Sequence, residues 1–579
     1  MNYIETPPAH AMLGIRYLRQ EIFPEDACPI CSNECIAYLS VPSIGIGTPL
    51  TYLKCTKCRT VFLPKTARNE NYYRQKSNET SGQNTVANFL KHYLEIGAGP
   101  DFMAKVLSKV LKKGVRTFCS VGCGAGLDLN IVATLTKNQV DIIGFEPNSY
   151  GEVQDLSVPI INDVLSDDWL ETSGRKFDIV FASEVIEHIP DPEAFSKTML
   201  MALSSDNAKF VLTTPNADLI APENSAGDVY AALFPGEHKI IFSKESLEKT
   251  LACAGFCWIE VSDTKERLTA FAQKAIDPSE NSEYKLESSE FYIRYLRNFV
   301  SMANPQSSSP LMAGNSFRLL SELVNAGKER EALEFLNNSK VLLDLCSRED
   351  DIPAIKESVM LMALSATDFD DHVRKTRGFL APLSYYLAML AFRLNRPEIA
   401  VKEFRKALQL LMNDKALSPF NFQVSCALIN PCKAELVNSL VSCNKTLEAI
   451  EFIKKEPDLI ISPVIFNAIV RSFINTSNSG DFAEATSCAK LIDENKFFLA
   501  KNSGYMKNGG ATGLSQHVAL TDPILLFDYH ITRSYYELNF RANRMAAKTQ
   551  MYLAARRFKE LPSFNRAKIL VKLAWVLCR

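Results

Sequence analysis

The sequence predicts an α/β protein with a doubly wound sheet, preceded by a small zinc ribbon and followed by an all-α helical-repeat domain. Three observations support this prediction. Two paired-cysteine turns lie near the N-terminus, short β-branched segments alternate with helical ones over residues 91–275, and strand patterns fade beyond residue 316. Strands that alternate with helices indicate βαβ units, and therefore a sheet that is parallel at least in its first half.

Length and composition limit the class of protein. The 579 residues are too many for one hydrophobic core, so we expect several domains. A net charge of −2 provides no global basic field for nucleic acid or anionic lipid. The sequence shows no secretory signal and no apolar run long enough to span a membrane, and its 15 cysteines are an odd number. These features predict a cytoplasmic protein whose cysteines bind metal or fill cores.

Changes in composition suggest the domain boundaries. We predict an N-terminal segment (1–27), a zinc-ribbon-like domain (28–65), a polar connector (66–90), the α/β domain (91–275), a Ser/Asn/Pro-rich linker (276–316) and a helical domain (317–579).

The paired cysteines predict a structural zinc site. Cys28 and Cys31 form one C-x-x-C turn, and Cys55 and Cys58 form another. Two such turns supply four thiolates, which complete a tetrahedral zinc shell and leave no open position for catalysis. Chance cysteines or a redox pair are the alternatives, and Cys35 lies close enough in the sequence to compete as a ligand.

A glycine-rich turn follows the first strand of the α/β domain. The segment "VRTFCSVGCGAGLDL" places Gly122, Cys123, Gly124 and Gly126 between a strand and a helix. Glycines there permit a tight turn and close backbone approach by a ligand. The second strand ends in Glu146, whose carboxylate can accept both hydroxyls of a ribose, and a short third strand ends near Asp163.

The segment "ASEVIEHIPDP" follows the fourth strand and concentrates polar residues at the ligand-binding edge of such a sheet. Glu184, Glu187 and His188 lie here, and His238 follows the fifth strand. Two carboxylates and two imidazoles can hold Mg²⁺ or Mn²⁺ with positions left for substrate oxygens. Alternatively, His188 acts as a metal-free general base, or Glu187 caps the next helix.

This order of motifs over residues 91–275 resembles the class I S-adenosylmethionine-dependent methyltransferases, with their Rossmann-like sheet. The resemblance implies that the glycine loop, including Cys123, wraps the methionine part of the cofactor. It also implies that Glu146 holds the ribose and Asp163 meets the adenine, and we add Ser183 to the cofactor site. Many members have an acidic residue two positions before the first loop glycine, where this chain has Ser120. A dinucleotide oxidoreductase is disfavoured because its fingerprint spaces the last glycine one residue further on.

Two narrower resemblances bear on the acceptor. The E-x-x-E-H segment with a later histidine is similar to metal-dependent O-methyltransferases that act on small-RNA 3′ ends and on ubiquinone precursors. The sequence of ribbon, connector and core resembles bacterial sugar-modifying methyltransferases, which implies a sugar, nucleotide sugar or glycan acceptor. Protein methylation, a catalytically weak scaffold and RNA 2′-O-methylation remain alternatives, although the net charge of −2 counts against RNA.

The helical part contains a degenerate repeat. A turn residue followed five positions later by alanine recurs as Gly327/Ala332, Asn395/Ala400, Asn444/Ala449 and Gly480/Ala485, with Ala366 halfway between the first two alanines. This resembles tetratricopeptide hairpins, in which a small residue lets paired helices pack closely. The resemblance implies a surface for a protein partner, and an irregular α-helical domain is the alternative.

Overall fold

The computed structural model describes residues 5–456, except for 20, 24–25, 43–48, 68–82, 97–99, 148–157, 265–266, 276–288, 303–308, 350–351, 419–421 and 444. The chain divides into two compact units. The first comprises Met1–Glu322 with Lys340–Leu342, and the second comprises Leu323–Ser339 with Leu343–Arg579.

The first sheet of the first unit is the cysteine-bearing ribbon. Its antiparallel strands, in chain order, are β1 (Arg16–Tyr17), β2 (Cys35–Pro42), β3 (Pro49–Cys55) and β4 (Val61–Phe62), and a helix over Pro8–Met12 precedes them. A fifth strand, β10 (Ile240–Ile241), pairs with β4 from far along the chain. The ribbon sheet therefore extends beyond the predicted 28–65 segment and includes a strand inserted in the α/β domain.

The strands of the second sheet are β5 (Thr117–Val121), β6 (Asp141–Phe145), β7 (Ile160–Ile161), β8 (Ile179–Ser183), β9 (Lys209–Pro215), β11 (Trp258–Asp263) and β12 (Arg267–Gln273). Their order across the sheet is β11-β12-β9-β8-β5-β6-β7. The strands β5 to β9 pair in parallel, and β12 runs antiparallel between β9 and β11. The prediction of a Rossmann-like α/β sheet, parallel in its first half, is confirmed.

Helices and short turns connect these strands as the sequence suggests. The helices are Gln83–Ile96, Pro100–Val110, Leu127–Thr136, Asp167–Ser173, Pro192–Ala202, Ala226–Leu233 and Lys244–Ala254. Local chemistry fixes their starts: Asp191 caps the helix that begins with Pro192, and Ser243 forms a capping box with Ser246.

The predicted linker 276–316 contains helical structure. Helices span Ser289–Met302 and Pro310–Asn325. Phe299, Leu311 and Met312 pack with Leu94 and Leu127 in one apolar cluster of the first unit. The Ser/Pro-rich composition led to the prediction of a linker. On either side of residues 303–308, however, apolar residues at helical spacing are buried, and this burial favours helices.

The described part of the second unit is mostly helical. Its helices are Glu329–Asn338, Glu357–Leu364, Phe369–Lys375, Leu380–Arg393, Pro397–Leu417, Gln423–Ser442 and Thr446–Lys455. The short helix Lys340–Leu343 belongs to the first unit except for its last residue. A hairpin of β13 (Cys346–Glu349) and β14 (Ile352–Ile355) interrupts them, and the sequence analysis missed it. No helix in the described ranges combines the length and apolar character needed to cross a bilayer.

The repeat signature matches local structure in part. Gly327 and Asn395 have φ of 69° and 60°, in the left-handed region that ends helices. Ala332, Ala400 and Ala449 are fully buried, as close helix packing requires. Ala366, in contrast, lies between helices and is partly exposed, so its predicted place in the repeat is wrong. Asn444, Gly480 and Ala485 lie outside the described residues.

Candidate active site

The four predicted cysteine ligands come together in the ribbon. Sγ of Cys28 lies 3.5 Å from Sγ of Cys58, and Sγ of Cys31 lies 3.4 Å from that of Cys55 and 3.5 Å from that of Cys58. Sulfurs bound to one zinc at ~2.3 Å are about 3.8 Å apart, so these thiols need little movement to hold the ion. Hydrogen bonds from Cys28 and Thr60 lower the pKa of Cys58 below its ordinary value, which favours the thiolate form that binds zinc. Cys35 lies outside this group, and its thiol instead contacts the Asn33 carbonyl.

The glycine loop wraps the end of β5 as a cofactor cradle would. Gly122, Gly124 and Gly126 all have positive φ, and a Cβ on Gly122 would lie 2.6 Å from Cγ2 of Val185. Only glycine fits both the conformation and the space at Gly122. The Gly124 N–H donates to Oε2 of Glu146 over 2.9 Å, so the loop and the acid that ends β6 form one unit. The structure therefore brings the predicted glycines together with Glu146.

Asp163 and Ser183 occupy different settings. Asp163 lies exposed just beyond β7, and its Oδ1 accepts the Val164 N–H over 2.8 Å. Its apolar neighbours Ile160 and Val164 are also exposed, at 40% and 55%. The Ser183 hydroxyl instead bonds to the Thr213 hydroxyl over 2.8 Å and so links β8 to β9.

A buried carboxylate lies beside Ser120, the position where the sequence lacks the expected acid. Asp128, in the first turn of helix Leu127–Thr136, accepts a short hydrogen bond from the Ser120 hydroxyl and the N–H of Leu129 over 2.9 Å. Burial raises the pKa of Asp128 to about 6. The sequence analysis missed this residue, although the signal was present: an acid two positions after the last loop glycine faces back toward β5 if a helix starts there.

Glu184 leaves β8 in a conformation that non-glycine residues rarely adopt. Its φ is 57°, in the left-handed region. Its Oε1 contacts Nε of Arg267 over 3.1 Å and accepts from the Thr213 hydroxyl over 3.1 Å. The Arg267 guanidinium also stacks over the ring of Phe102, 4.5 Å from its centroid. Strained backbone of this kind concentrates at functional sites.

Glu187, His188 and His238 form the second cluster with metal-ligand chemistry. One ligand atom from each lies within 4.8 Å of the others. Oε2 of Glu187 accepts from Thr214 over 3.0 Å. Its Oε1 is buried without a hydrogen-bond partner among the described residues and lies 3.9 Å from Nε2 of His238. An unpartnered buried carboxylate oxygen is costly unless something binds it.

Backbone carbonyls orient both imidazoles. Nδ1 of His188 lies 3.0 Å from the Glu237 carbonyl, and Nδ1 of His238 lies 2.7 Å from the Ala232 carbonyl. A carbonyl can only accept, so each Nδ1 carries the proton and each Nε2 presents its lone pair. Metal-binding histidines are commonly oriented in this way.

The electrostatics of the cluster suit cation binding. Burial, together with the His238 ring, lowers the pKa of His188 to about 3, and burial also lowers the pKa of His238. Both rings are therefore neutral at physiological pH, the form that binds metal. Burial and the Glu184 carboxylate raise the pKa of Glu187 well above its usual range. The structure thus unites three of the four predicted catalytic residues and pairs Glu184 with Arg267 nearby.

Comparison with known proteins identifies the α/β domain. Residues 90–261 match a family described as a methyltransferase domain. The chain is 28% identical over 162 residues to a ubiquinone biosynthesis O-methyltransferase of Rhizobium etli (strain CIAT 652), across 26% of this chain and 62% of that protein. It is 30% identical over 109 residues to the mitochondrial ubiquinone biosynthesis O-methyltransferase of Arabidopsis thaliana, across 18% of this chain and 34% of that protein. It therefore spans less than two thirds of either curated relative.

Among solved structures, human N-acetylserotonin methyltransferase in complex with S-adenosylmethionine superposes with a TM-score of 0.28 and 13% identity, over 36% of this chain and 64% of that one. That likeness is too slight to bear on function. With the family match and the sheet order, residues 90–261 are a class I S-adenosylmethionine-dependent methyltransferase domain.

Proposed function

We propose that the α/β domain transfers a methyl group from S-adenosylmethionine to a hydroxyl of a sugar-like acceptor, assisted by Mg²⁺ or Mn²⁺ held by Glu187, His188 and His238. One observation carries the proposal. A carboxylate oxygen that has no hydrogen-bond partner in the described part of the chain converges with two imidazoles, whose Nδ1 atoms are protonated, where the parallel strands end. This combination of ligands suits a divalent cation that leaves positions open for substrate oxygens.

The cofactor site is assigned to the residues around the glycine loop. When bound, S-adenosylmethionine supplies an electrophilic methyl group. Glu146, aligned by Gly124, would accept the ribose hydroxyls, and Asp163 with the exposed Ile160 and Val164 would meet the adenine. Asp128 would pair with the cofactor ammonium, which would give its buried carboxylate a counter-charge. Asp128 would thereby supply the carboxylate that is missing at position 120.

The acceptor would bind between the Glu187 cluster and the Glu184–Arg267 pair. A divalent ion, when bound, lowers the pKa of a hydroxyl that coordinates it. The two neutral histidines and Glu187 would hold that ion. Within the described ranges, both side-chain contacts of Glu184 use Oε1, and Oε2 would orient or deprotonate the acceptor hydroxyl. Arg267, held over Phe102, would orient Glu184 for this role through its 3.1 Å contact with Oε1.

Two arguments support the acceptor class. The curated relatives are named O-methyltransferases, which supports oxygen as the atom that is methylated. The acceptor itself is proposed to be a sugar, nucleotide sugar or glycan, because ribbon and core follow the layout of sugar-modifying methyltransferases. The four-cysteine cluster, with sulfurs at 3.4–3.5 Å, supports the zinc ribbon of that layout.

We also propose that the second unit is a tetratricopeptide-like array that binds a protein partner. The left-handed Gly327 and Asn395 and the buried Ala332, Ala400 and Ala449 support paired helices of this kind. Such an array could deliver a macromolecule to the methyltransferase domain.

Labelling tests the function. The purified full chain is incubated with Mn²⁺, methyl-labelled S-adenosylmethionine and fractionated pools of nucleotide sugars, glycan, protein and RNA. We expect label in a sugar pool that resists protease and nuclease. Label that protease releases would favour a protein acceptor, and label that ribonuclease releases would favour RNA. Absence of label in every pool, with S-adenosylhomocysteine still bound, would favour the scaffold alternative.

A further inference from the structure

The cysteine ribbon reaches directly into the loop that carries His238. Strand β4, three residues beyond Cys58, pairs with β10, two residues beyond His238. The Leu63 N–H donates to the Lys239 carbonyl over 2.9 Å, and the Lys239 N–H donates to the Glu187 carbonyl over 2.8 Å. Continuous backbone hydrogen bonding therefore links the ribbon to the Glu187 cluster.

Tyr52, on β3 near Cys55, fixes the same loop from within. The side chain is fully buried, and its hydroxyl lies 3.2 Å from the carbonyl oxygens of both Leu233 and His238. The hydroxyl also accepts the Gly236 N–H over 3.3 Å. One hydroxyl therefore contacts three backbone groups of a turn that spans residues 233–238: it shares its proton between two carbonyls and accepts one N–H. Apolar side chains cannot replace these contacts.

Ser243 fixes the other end of the loop to the cysteine site. Its hydroxyl donates to the Cys58 carbonyl over 2.6 Å, and its Oγ also caps helix Lys244–Ala254. A shift of the Cys55–Cys58 turn would therefore move the backbone that follows His238. The loop also carries the Glu237 carbonyl that orients His188, so both imidazoles depend on its position.

We infer that metal occupancy of the four-cysteine site controls the position of His238 through Tyr52 and Ser243. Tyr52 is then a positioning residue for the Glu187–His188–His238 cluster. The consequence for divalent-ion affinity rests on the proposed function, whereas the consequence for the position of His238 does not.

The test compares two buried tyrosines of the ribbon in the full-length chain. Tyr52→Phe removes the hydroxyl that faces the His238 loop. Tyr38→Phe is the matched control, because its hydroxyl donates over 2.6 Å to the Ile220 carbonyl, a ribbon-to-domain contact away from the cluster. The readouts are Mn²⁺ affinity by electron paramagnetic resonance, the rate at which diethylpyrocarbonate modifies His238 by mass spectrometry, zinc content, and affinity for S-adenosylhomocysteine.

In Tyr52→Phe we expect Mn²⁺ affinity to fall about tenfold or more and His238, which is 7% exposed in the native chain, to be modified several times faster. Zinc content and S-adenosylhomocysteine affinity should match the wild type, and Tyr38→Phe should match it in every readout. Removing zinc with a chelator should raise His238 reactivity as Tyr52→Phe does.

Unchanged His238 reactivity in either Tyr52→Phe or zinc-stripped protein would overturn the inference. If wild-type protein binds no Mn²⁺, the proposed function fails, yet the reactivity of His238 still decides whether the ribbon positions the loop. Equal effects of Tyr52→Phe and Tyr38→Phe would also overturn the inference, because they would indicate general loosening of the ribbon.

Discussion

Replacing Asp128 with asparagine should separate the cofactor site from the stability of the fold. Asp128 is buried beside Ser120, and burial raises its pKa from 3.8 to about 6. That rise corresponds to about 3 kcal/mol of free energy opposing the ionised form in the folded, cofactor-free protein. A cofactor ammonium next to the carboxylate would offset this free energy, so cofactor binding should stabilise ionised Asp128.

The sign of the pH dependence follows from this pKa. A carboxyl group whose pKa is raised in the folded state does not lower the free energy of unfolding below about pH 3.8, where it is protonated in both states. Above that pH the free energy of unfolding falls, until the pH reaches about 6. At pH 8, Asp128→Asn should therefore have an unfolding free energy up to about 3 kcal/mol higher than that of the wild type, and a higher melting temperature. Near pH 4 the two proteins should have the same stability. Differential scanning calorimetry of the cofactor-free chains measures this difference.

Cofactor affinity should change in the opposite direction. At pH 5 about one tenth of Asp128 is ionised, so wild-type affinity for S-adenosylhomocysteine, which retains the ammonium, should be about tenfold weaker than at pH 8. Asp128→Asn should bind about 10- to 100-fold more weakly at pH 8, since it loses a charged hydrogen-bond partner, and should show little change with pH. Isothermal titration calorimetry measures both affinities. A variant with wild-type affinity and pH profile would refute the assignment of Asp128 to the ammonium.

Three further predictions concern other parts of the molecule. Cys31→Ser should reduce bound zinc to background and lower the melting temperature, because three thiolates leave the cluster open; zinc retained at the wild-type level would contradict a four-cysteine site. Arg267→Ala should reduce methyl transfer without weakening S-adenosylhomocysteine binding, since Arg267 contacts Glu184, and Arg267→Lys should restore part of the rate. Ala400→Leu should lower the free energy of unfolding in urea by about 1–3 kcal/mol, because Ala400 is fully buried. Ala366→Leu, at a partly exposed position between helices, should change it by less than about 0.5 kcal/mol. Equal effects of the two substitutions would contradict close helix packing at Ala400.

Local sequence patterns were sufficient to predict the α/β sheet and the glycine loop that follows β5. The order of apolar runs, the positive φ of Gly122 and the contact of Gly124 with Glu146 all depend on residues within one or two neighbouring elements. Asp128 was missed because its proximity to Ser120 requires the geometry of the strand-to-helix turn. Asp128 lies eight positions after Ser120, whereas the family pattern has its acidic residue two positions before the first loop glycine.

Other features depend on contacts that no local pattern contains. The pairing of β4 with β10 joins residues far apart in the chain. In the sequence, nothing distinguishes Tyr52 from other aromatic residues in strands, and its contact with the His238 carbonyl is visible only in the structure. The left-handed backbone at Glu184 and the turn over Ile186–His188 direct Glu184 to Arg267, and nothing in the spacing of this segment indicates that contact. In the predicted linker, a short Ser/Pro segment obscured the apolar spacing of the helices beside it.

Metal dependence of methyl transfer tests the central claim most directly. Label transferred to a sugar pool is measured against free Mn²⁺ for wild type and His238→Ala, after removal of metals that leaves the four-cysteine zinc in place. S-adenosylhomocysteine affinity serves as the control for an intact cofactor site. We predict that wild-type transfer is lost without Mn²⁺ and restored by titration, while His238→Ala binds S-adenosylhomocysteine normally and gains nothing from Mn²⁺. Full transfer by either protein in the presence of a chelator would contradict a metal role for Glu187, His188 and His238.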